Sequence, residues 1–133
     1  LGIVTTTADN SPALTRSLLT SLASEGPDDI VLELGDGLLG AYGVEAILSD
    51  AAIRAAMTAV VLCANDPVAA WGGAKILREQ YGIEPAVVSG PATDNAVGID
   101  QISERLALPA INALSNGVAL GDHVHGVLKG GRK

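Results

Sequence analysis

Short runs of β-prone apolar residues alternate along this chain with stretches whose apolar residues recur every three or four positions. The runs fall at residues 1–7, 29–34, 58–64, 85–89 and 109–113. Ile30-Val31-Leu32 and Ala59-Val60-Val61-Leu62-Cys63 are continuously apolar rather than alternating. Strands read that way when both faces are covered, as in parallel sheets. Val31, Val60, Leu62, Val87 and Ile111 are the expected core positions of such a sheet.

The stretches between carry helix punctuation. Ser11 can cap and Pro12 occupy a first helical position, with Leu14, Leu18 and Leu22 on one face and Gly26-Pro27 as the stop. Asn65 or Asp66 before Pro67 repeats the device; Ala70, Ala74, Leu77 and Tyr81 make its stripe, and Gly82 closes it. Asp94 or Asn95 opens a third helix with Ile99, Ile102 and Leu106 inward and Asp100 in its favourable first turn. From Val44 to Met57 the pattern is helical, with Ser49-Asp50 able to split it. Leu120, Val124 and Val127 suit a helix near the end, although the glycines leave an irregular segment open, and residues 129–133 are expected to fray.

Strand and helix alternating in this way imply parallel crossovers. The expected fold class is α/β: a three-layer, five-stranded, mainly parallel sheet, Rossmann-like or P-loop-like, in one domain over residues 1–133. A chain of 133 residues can bury roughly 68% of its unfolded surface. Because it opens on Leu1 rather than Met, we treat it as a piece of a longer protein.

Charge and composition narrow the partners. With 8 basic against 15 acidic residues the net charge is −7, which disfavours a nucleic-acid groove or an anionic membrane surface. No apolar run approaches the ~20 residues of a membrane span. The single Cys63 rules out an intrachain disulfide framework and fits a reducing cytoplasm. With no Phe, two Tyr and one Trp, the chain lacks a base-stacking platform for nucleic acid. Abundant Ala and Gly with short loops point to self-association through a helix face or edge strand, or to packing on other domains of the same chain.

In a parallel sheet, ligands bind outside the carboxyl ends of the strands. Polar residues just past each run therefore form the candidate site: Thr5, Thr6, Thr7 and Asp9; Glu33 and Asp36; Asn65 and Asp66; Ser89, Thr93, Asp94 and Asn95; Asn112, Ser115 and Asn116. The same residue types also serve as ordinary caps and turns. Converging hydroxyls, amides and carboxylates suit a small polar ligand, with or without a metal.

Residues 28–40 are the most informative. An apolar strand delivers Glu33, and Gly35 and Gly37 then let the backbone approach a ligand closely. Such an acid can hold Mg²⁺ beside phosphates, with Asp36 as its companion if the chain turns at Gly35. Gly35, Gly37 and Gly40 also match G-x-G-x-x-G in spacing, which reads alternatively as the phosphate turn of a dinucleotide site, although Tyr42-Gly43 delays any helix. A plain tight loop remains the third reading.

Glu33-x-x-x-Gly37-Leu38-Leu39 at a strand end resembles the E-G-A-G-G-L-type signature of the dethiobiotin synthetase and cobyrinic acid synthase group of P-loop proteins. The order that follows is similar over roughly residues 28–114: an apolar strand, the polar turn Asn65-Asp66-Pro67, Leu77-Arg78-Glu79-Gln80-Tyr81-Gly82, another strand, and Arg105-Leu106-Ala107-Leu108-Pro109. The resemblance implies an ATP- and Mg²⁺-dependent ligase- or kinase-like enzyme. In it, Glu33 corresponds to the magnesium-ligand acid, and Thr93 and Asn95, in the turn at residues 90–95, lie near the nucleotide base. Thr5-Thr6-Thr7-Ala8-Asp9-Asn10-Ser11 carries no glycine-lysine pair, so the phosphate loop is expected upstream of Leu1 or not at all. A dinucleotide-binding domain and a non-catalytic regulatory or interaction domain are the alternatives.

Three other features have competing readings. His123 and His125 would share one face of an extended segment and could hold a metal, but solvated side chains fit as well. Cys63, among apolar neighbours, reads as a buried small hydrophobe rather than a nucleophile. Gly72-Gly73 would let a helix lie close on the sheet while Trp71 fills the gap.

Overall fold

The computed structural model describes residues 6–131. They pack as two units, divided between Ala56 and Met57.

The first unit is built on three helices. Helix α1 (Ser11–Ala23) follows a turn in which Thr7 N–H donates to Asn10 Oδ1 at 2.8 Å. Helices α2 (Val44–Ser49) and α3 (Ala51–Ala56) are separate because Asp50 turns extended between them. Its Oδ1 accepts from the backbone N–H groups of Ala52 and Ile53, both at 3.0 Å, and so starts α3. The Ile53 N–H, and after it the Arg16 guanidinium paired with the same carboxylate, hold Asp50 below its usual carboxylate range. Val44, Ile47, Leu48 and Ile53 form the small core. Gly43, at φ +99, precedes α2, and the buried Ser11 hydroxyl donates to its carbonyl at 3.0 Å. A Cβ at Gly43 would lie 2.3 Å from that hydroxyl oxygen, so only glycine fits.

The second unit holds the sheet. Strands β1 (Val61–Cys63) and β2 (Val87–Ser89) run parallel, with Val61 opposite Val87 and Cys63 opposite Ser89. Helix α4 (Pro67–Tyr81) connects them. Asp66 caps α4 by accepting from Ala69 N–H at 2.8 Å, and Gly82 ends it in the left-handed region. Ala70, Ala74 and Leu77 form its fully buried stripe. After β2 come a 3₁₀ turn (Pro91–Thr93) and helix α5 (Ala96–Leu106), which buries Ile102 and Leu106 and lies against α4. Val88 then makes a single parallel bridge to Ala110. Helix α6 (Gly117–Gly131) buries no residue completely, but His123 Nε2–H donates to the Ala86 carbonyl at 3.0 Å.

This architecture corrects the expected one. The described residues form a two-stranded parallel sheet with one added bridge, within a mainly helical chain. A five-stranded, three-layer Rossmann-like or P-loop-like sheet is not what forms. Of the run at residues 1–7, positions 1–5 lie outside the described residues, and Thr6 and Thr7 belong to no strand. Residues 29–34 are neither helix nor strand, and Val31 is 95% exposed instead of buried. Only three apolar residues sit there between acids, and among the described residues no strand pairs with them; β propensity without a neighbouring ladder does not make a strand. Leu62 and Val87 are buried as expected, whereas Val60 and Ile111 are half-buried.

Two helix faces also differ. Helix α1 turns Ser11 and Thr15 inward and leaves Leu18 and Leu22 exposed, reversing the expected stripe. Trp71 fills no gap: Gly73 is buried, but the indole is exposed, with Lys75 Nζ 5.4 Å from its ring centre. Residues 129–131 form the last turn of α6, and residues 132 and 133 of the expected frayed tail lie outside the described residues.

Candidate functional site

Parallel pairing brings the carboxyl ends of β1 and β2 to one edge of the second unit. The polypeptide leaves β1 through Asn65-Asp66 into α4, and leaves β2 through the 3₁₀ turn and Asn95 into α5. Between the starts of α4 and α5 lies a cleft of about 270 Å³. Asn65, Asp66 and Pro67 line one side; Pro91, Ala92, Asn95, Val97, Gly98 and Gln101 line the rest.

The sequence dictates this geometry locally. Asp66 and Asn95 are both extended and both accept from the N–H three residues on, Asn95 from Gly98 at 2.9 Å. Those caps set where each helix starts, and the first residues of both helices line the cleft. Gly98 allows α5 to approach the 3₁₀ turn closely, since a Cβ there would fall 2.2 Å from the Ala92 carbonyl oxygen. Amide donors and acceptors, one carboxylate and the apolar Pro67, Pro91 and Val97 thus face one small volume.

The second polar cluster at this edge is structural. Thr93 Oγ donates to the Gly90 carbonyl at 2.7 Å and accepts from Asn112 Nδ2 at 3.3 Å. Asn112 Nδ2 also donates to Asp94 Oδ1 at 2.8 Å, while its Oδ1 accepts from Leu114 N, Ser115 N and Ser115 Oγ. This buried latch fastens the turn after β2 to the turn after Ala110. Of the two positions expected near a ligand's base, Asn95 therefore lines the cleft and Thr93 braces the turn beneath it.

The glycine-rich loop lies in the first unit and is organised around Asp36. Asp36 Oδ2 accepts from Tyr42 N–H at 2.7 Å, and Gly40 packs so tightly on that carboxylate that no side chain would fit. Gly37 takes φ +80, and Glu33 is exposed, its Oε1 lying 3.9 Å from where a Gly35 Cβ would be. Helix α2 starts only at Val44, so no helix N-terminus follows Gly35, Gly37 and Gly40 directly. Asp36 is committed to its own loop, and no three His, Cys, Asp or Glu side chains gather to hold a metal among the described residues.

His123 and His125 lie on α6, where two positions apart means about 200° around the helix; His123 faces Ala86 and His125 is exposed. Cys63 is exposed rather than buried, because it shares with Val61 the exposed face of β1 while Leu62 faces the core. Gly98 and Gln101, which also line the cleft, lie inside α5 rather than just past a strand, outside the polar positions expected at the sheet edge. Gly98 stands three from Asn95 and Gln101 three further on, and that i, i+3 spacing was the available signal. No protein-family model, curated protein or solved structure matches this chain. No helix among the described residues is long and apolar enough to cross a membrane.

Proposed function

We propose that the second unit binds a small planar polar ligand, of the nucleobase class, in the cleft between the starts of α4 and α5. The supporting observation is the meeting of Asn65, Asp66 and Asn95 in one recess at the carboxyl edge of parallel strands. About 270 Å³, near the lower end of the roughly 300–1,000 Å³ of ordinary ligand pockets, gives room for a heterocycle. The proposal takes from the ATP-dependent ligase or kinase reading only its base-binding part. The exposed free thiol of Cys63 is in keeping with a cytoplasmic setting.

Thermal unfolding with mononucleotides present tests the reading. A ligand at ten times its Kd stabilises the folded chain by about 1.4 kcal/mol, a readable rise in Tm. Gln101→Trp, which plugs the cleft from an exposed helical position, is expected to abolish the rise. An equal rise in both proteins refutes the site.

The first unit favours a second reading, as an assembly surface for a second copy. Leu18 and Leu22 on α1, with Val31 and Leu39 beyond it, all lie exposed, up to 95% for Val31. Sedimentation at micromolar concentration should show dimers or larger species, and a monomer throughout eliminates this reading.

A further inference from the structure

An asparagine or aspartate stands directly before a glycine at Asp36-Gly37 and at Asn116-Gly117, and the fold treats the two steps differently. In such a step the glycine nitrogen can reach the side-chain carbonyl carbon of the residue before it, because no Cβ crowds the approach. Asp36 is tied: its Oδ2 accepts from Tyr42 N–H at 2.7 Å, and Gly40 packs against the carboxylate. Asn116, just ahead of α6, spends only its backbone, its N–H donating to the Asn112 carbonyl at 2.9 Å and its carbonyl accepting from Leu120 N–H at 3.1 Å. Its side chain is exposed and makes no hydrogen bond among the described residues. The Asn95 and Asn112 amides, by contrast, are fixed by Gly98 and by the latch. Gly117 opens α6, so its N–H has no intrahelical acceptor, and the space its Cβ would take is open.

We propose that Asn116 is a self-modification site, at which the folded chain deamidates through a cyclic imide. The Gly117 nitrogen gives up its proton and attacks Asn116 Cγ; the new C–N bond closes a succinimide ring, and the side-chain nitrogen leaves as ammonia. Water then opens the ring. Attack at Cγ yields aspartate, and attack at the former backbone carbonyl yields isoaspartate, whose main chain runs through Cβ and Cγ. Either route consumes water, releases ammonia and exchanges an amide for a carboxylate, with no oxidant or cofactor. The two products act oppositely on α6. Aspartate keeps the peptide path and adds negative charge at a helix N-terminus, where it is favourable. Isoaspartate adds one carbon to the main chain between the Asn112 tie and α6, and the carbonyl bonded to Leu120 becomes a carboxylate branching off that chain.

The test is incubation of the full chain at mildly alkaline pH, folded and in urea, followed by peptide mapping that separates asparagine, aspartate and isoaspartate. The folded chain is expected to convert Asn116 ahead of Asn65, which is also exposed but precedes Asp66 rather than a glycine, and to yield both products. Gly117→Ala, which the open space accommodates, should slow the conversion at least about threefold, the rate equivalent of the glycine's extra backbone freedom alone. Asn116 left intact in the folded chain while it converts in urea overturns the proposal, because the fold then protects the site. Conversion of Asn65 as fast as Asn116, or an unchanged rate in Gly117→Ala, overturns it as well, since the step to glycine would then decide nothing.

Discussion

Two glycines on neighbouring helices should answer the same substitution with opposite signs. Gly72 lies in α4, and a Cβ built there meets nothing within 4 Å. Gly72→Ala should therefore show the plain helix-propensity gain, about 0.8–1 kcal/mol, drawn largely from the reduced freedom of the unfolded chain. Gly98 lies in the first turn of α5, buried, where a Cβ would sit 2.2 Å from the Ala92 carbonyl oxygen and 3.3 Å from its carbon. That oxygen belongs to backbone held in the 3₁₀ turn, so the turn or the helix must shift by about an ångström to reach normal contact. Overpacking of this kind costs about 1–3 kcal/mol, and the propensity gain offsets only part of it.

The net expectation for Gly98→Ala is a loss of up to about 2 kcal/mol. Urea unfolding followed by the fluorescence of Trp71, the chain's one tryptophan, reports on α4 and so on the unit that holds both glycines. With a slope of about 2 kcal/mol/M, Gly98→Ala should lower the midpoint by up to about 1 M, and Gly72→Ala should raise it by nearly half that. A rise for Gly98→Ala equal to that for Gly72→Ala would refute the close approach of α5 to the 3₁₀ turn. The cleft geometry would fall with it.

Four further outcomes are expected. Ala107 ends α5 at φ +54, a left-handed conformation unfavourable by about 1–2 kcal/mol for a residue with a Cβ, so Ala107→Gly should raise the urea midpoint despite glycine's greater unfolded freedom. The Ser89 hydroxyl is buried with no hydrogen-bond partner among the described residues, and Ser89→Ala should leave stability unchanged or raise it by about 1 kcal/mol, read in the same unfolding experiment. Asn112→Ala opens the latch and strands the Leu114 and Ser115 N–H groups; a loss of about 2–3 kcal/mol should appear together with broadening of the Thr93 and Asp94 NMR signals. The forked hydrogen bond from Arg78, at 2.6 and 2.7 Å, holds Glu84 below its usual carboxylate range. Its stabilisation is therefore present above the unfolded value of about 4.3 and lost as pH falls through the lower folded value. The pair is exposed, so at most about 0.5 kcal/mol is at stake, and Glu84→Gln should match wild type at pH 3 and fall slightly below it at pH 7.

Where local chemistry decides the outcome, the sequence alone was sufficient. Asp66 before Pro67 and Gly82 after Tyr81 bound α4, because a side-chain acceptor, a ring that pre-sets φ and a residue free to turn left-handed act within one helical turn. Asn95 opens α5 and Asp50 parts α2 from α3 for the same local reason. The alternation around β1, α4 and β2 likewise placed Asn65, Asp66 and Asn95 at one edge, and those residues line the cleft.

Tertiary structure decided what depends on distant partners. Ile30-Val31-Leu32 and Val61-Leu62-Cys63 are equally β-prone as strings, yet among the described residues only the second finds a neighbouring strand. Backbone N–H and C=O groups must be paired by another segment, and no local pattern names that segment. The same holds for α1, where the Ser11 bond to Gly43 and the Arg16 pair with Asp50 turn the polar face inward and leave the leucines outside. It holds too for the roles of similar side chains at one edge. Thr93 and Asn95 stand two positions apart, but Asn112, far along the chain, draws Thr93 into a buried latch and leaves Asn95 on the cleft. Caps and periodicities act over three or four residues and are written in the sequence, whereas pairing, burial and the sorting of polar groups depend on what the rest of the chain brings alongside.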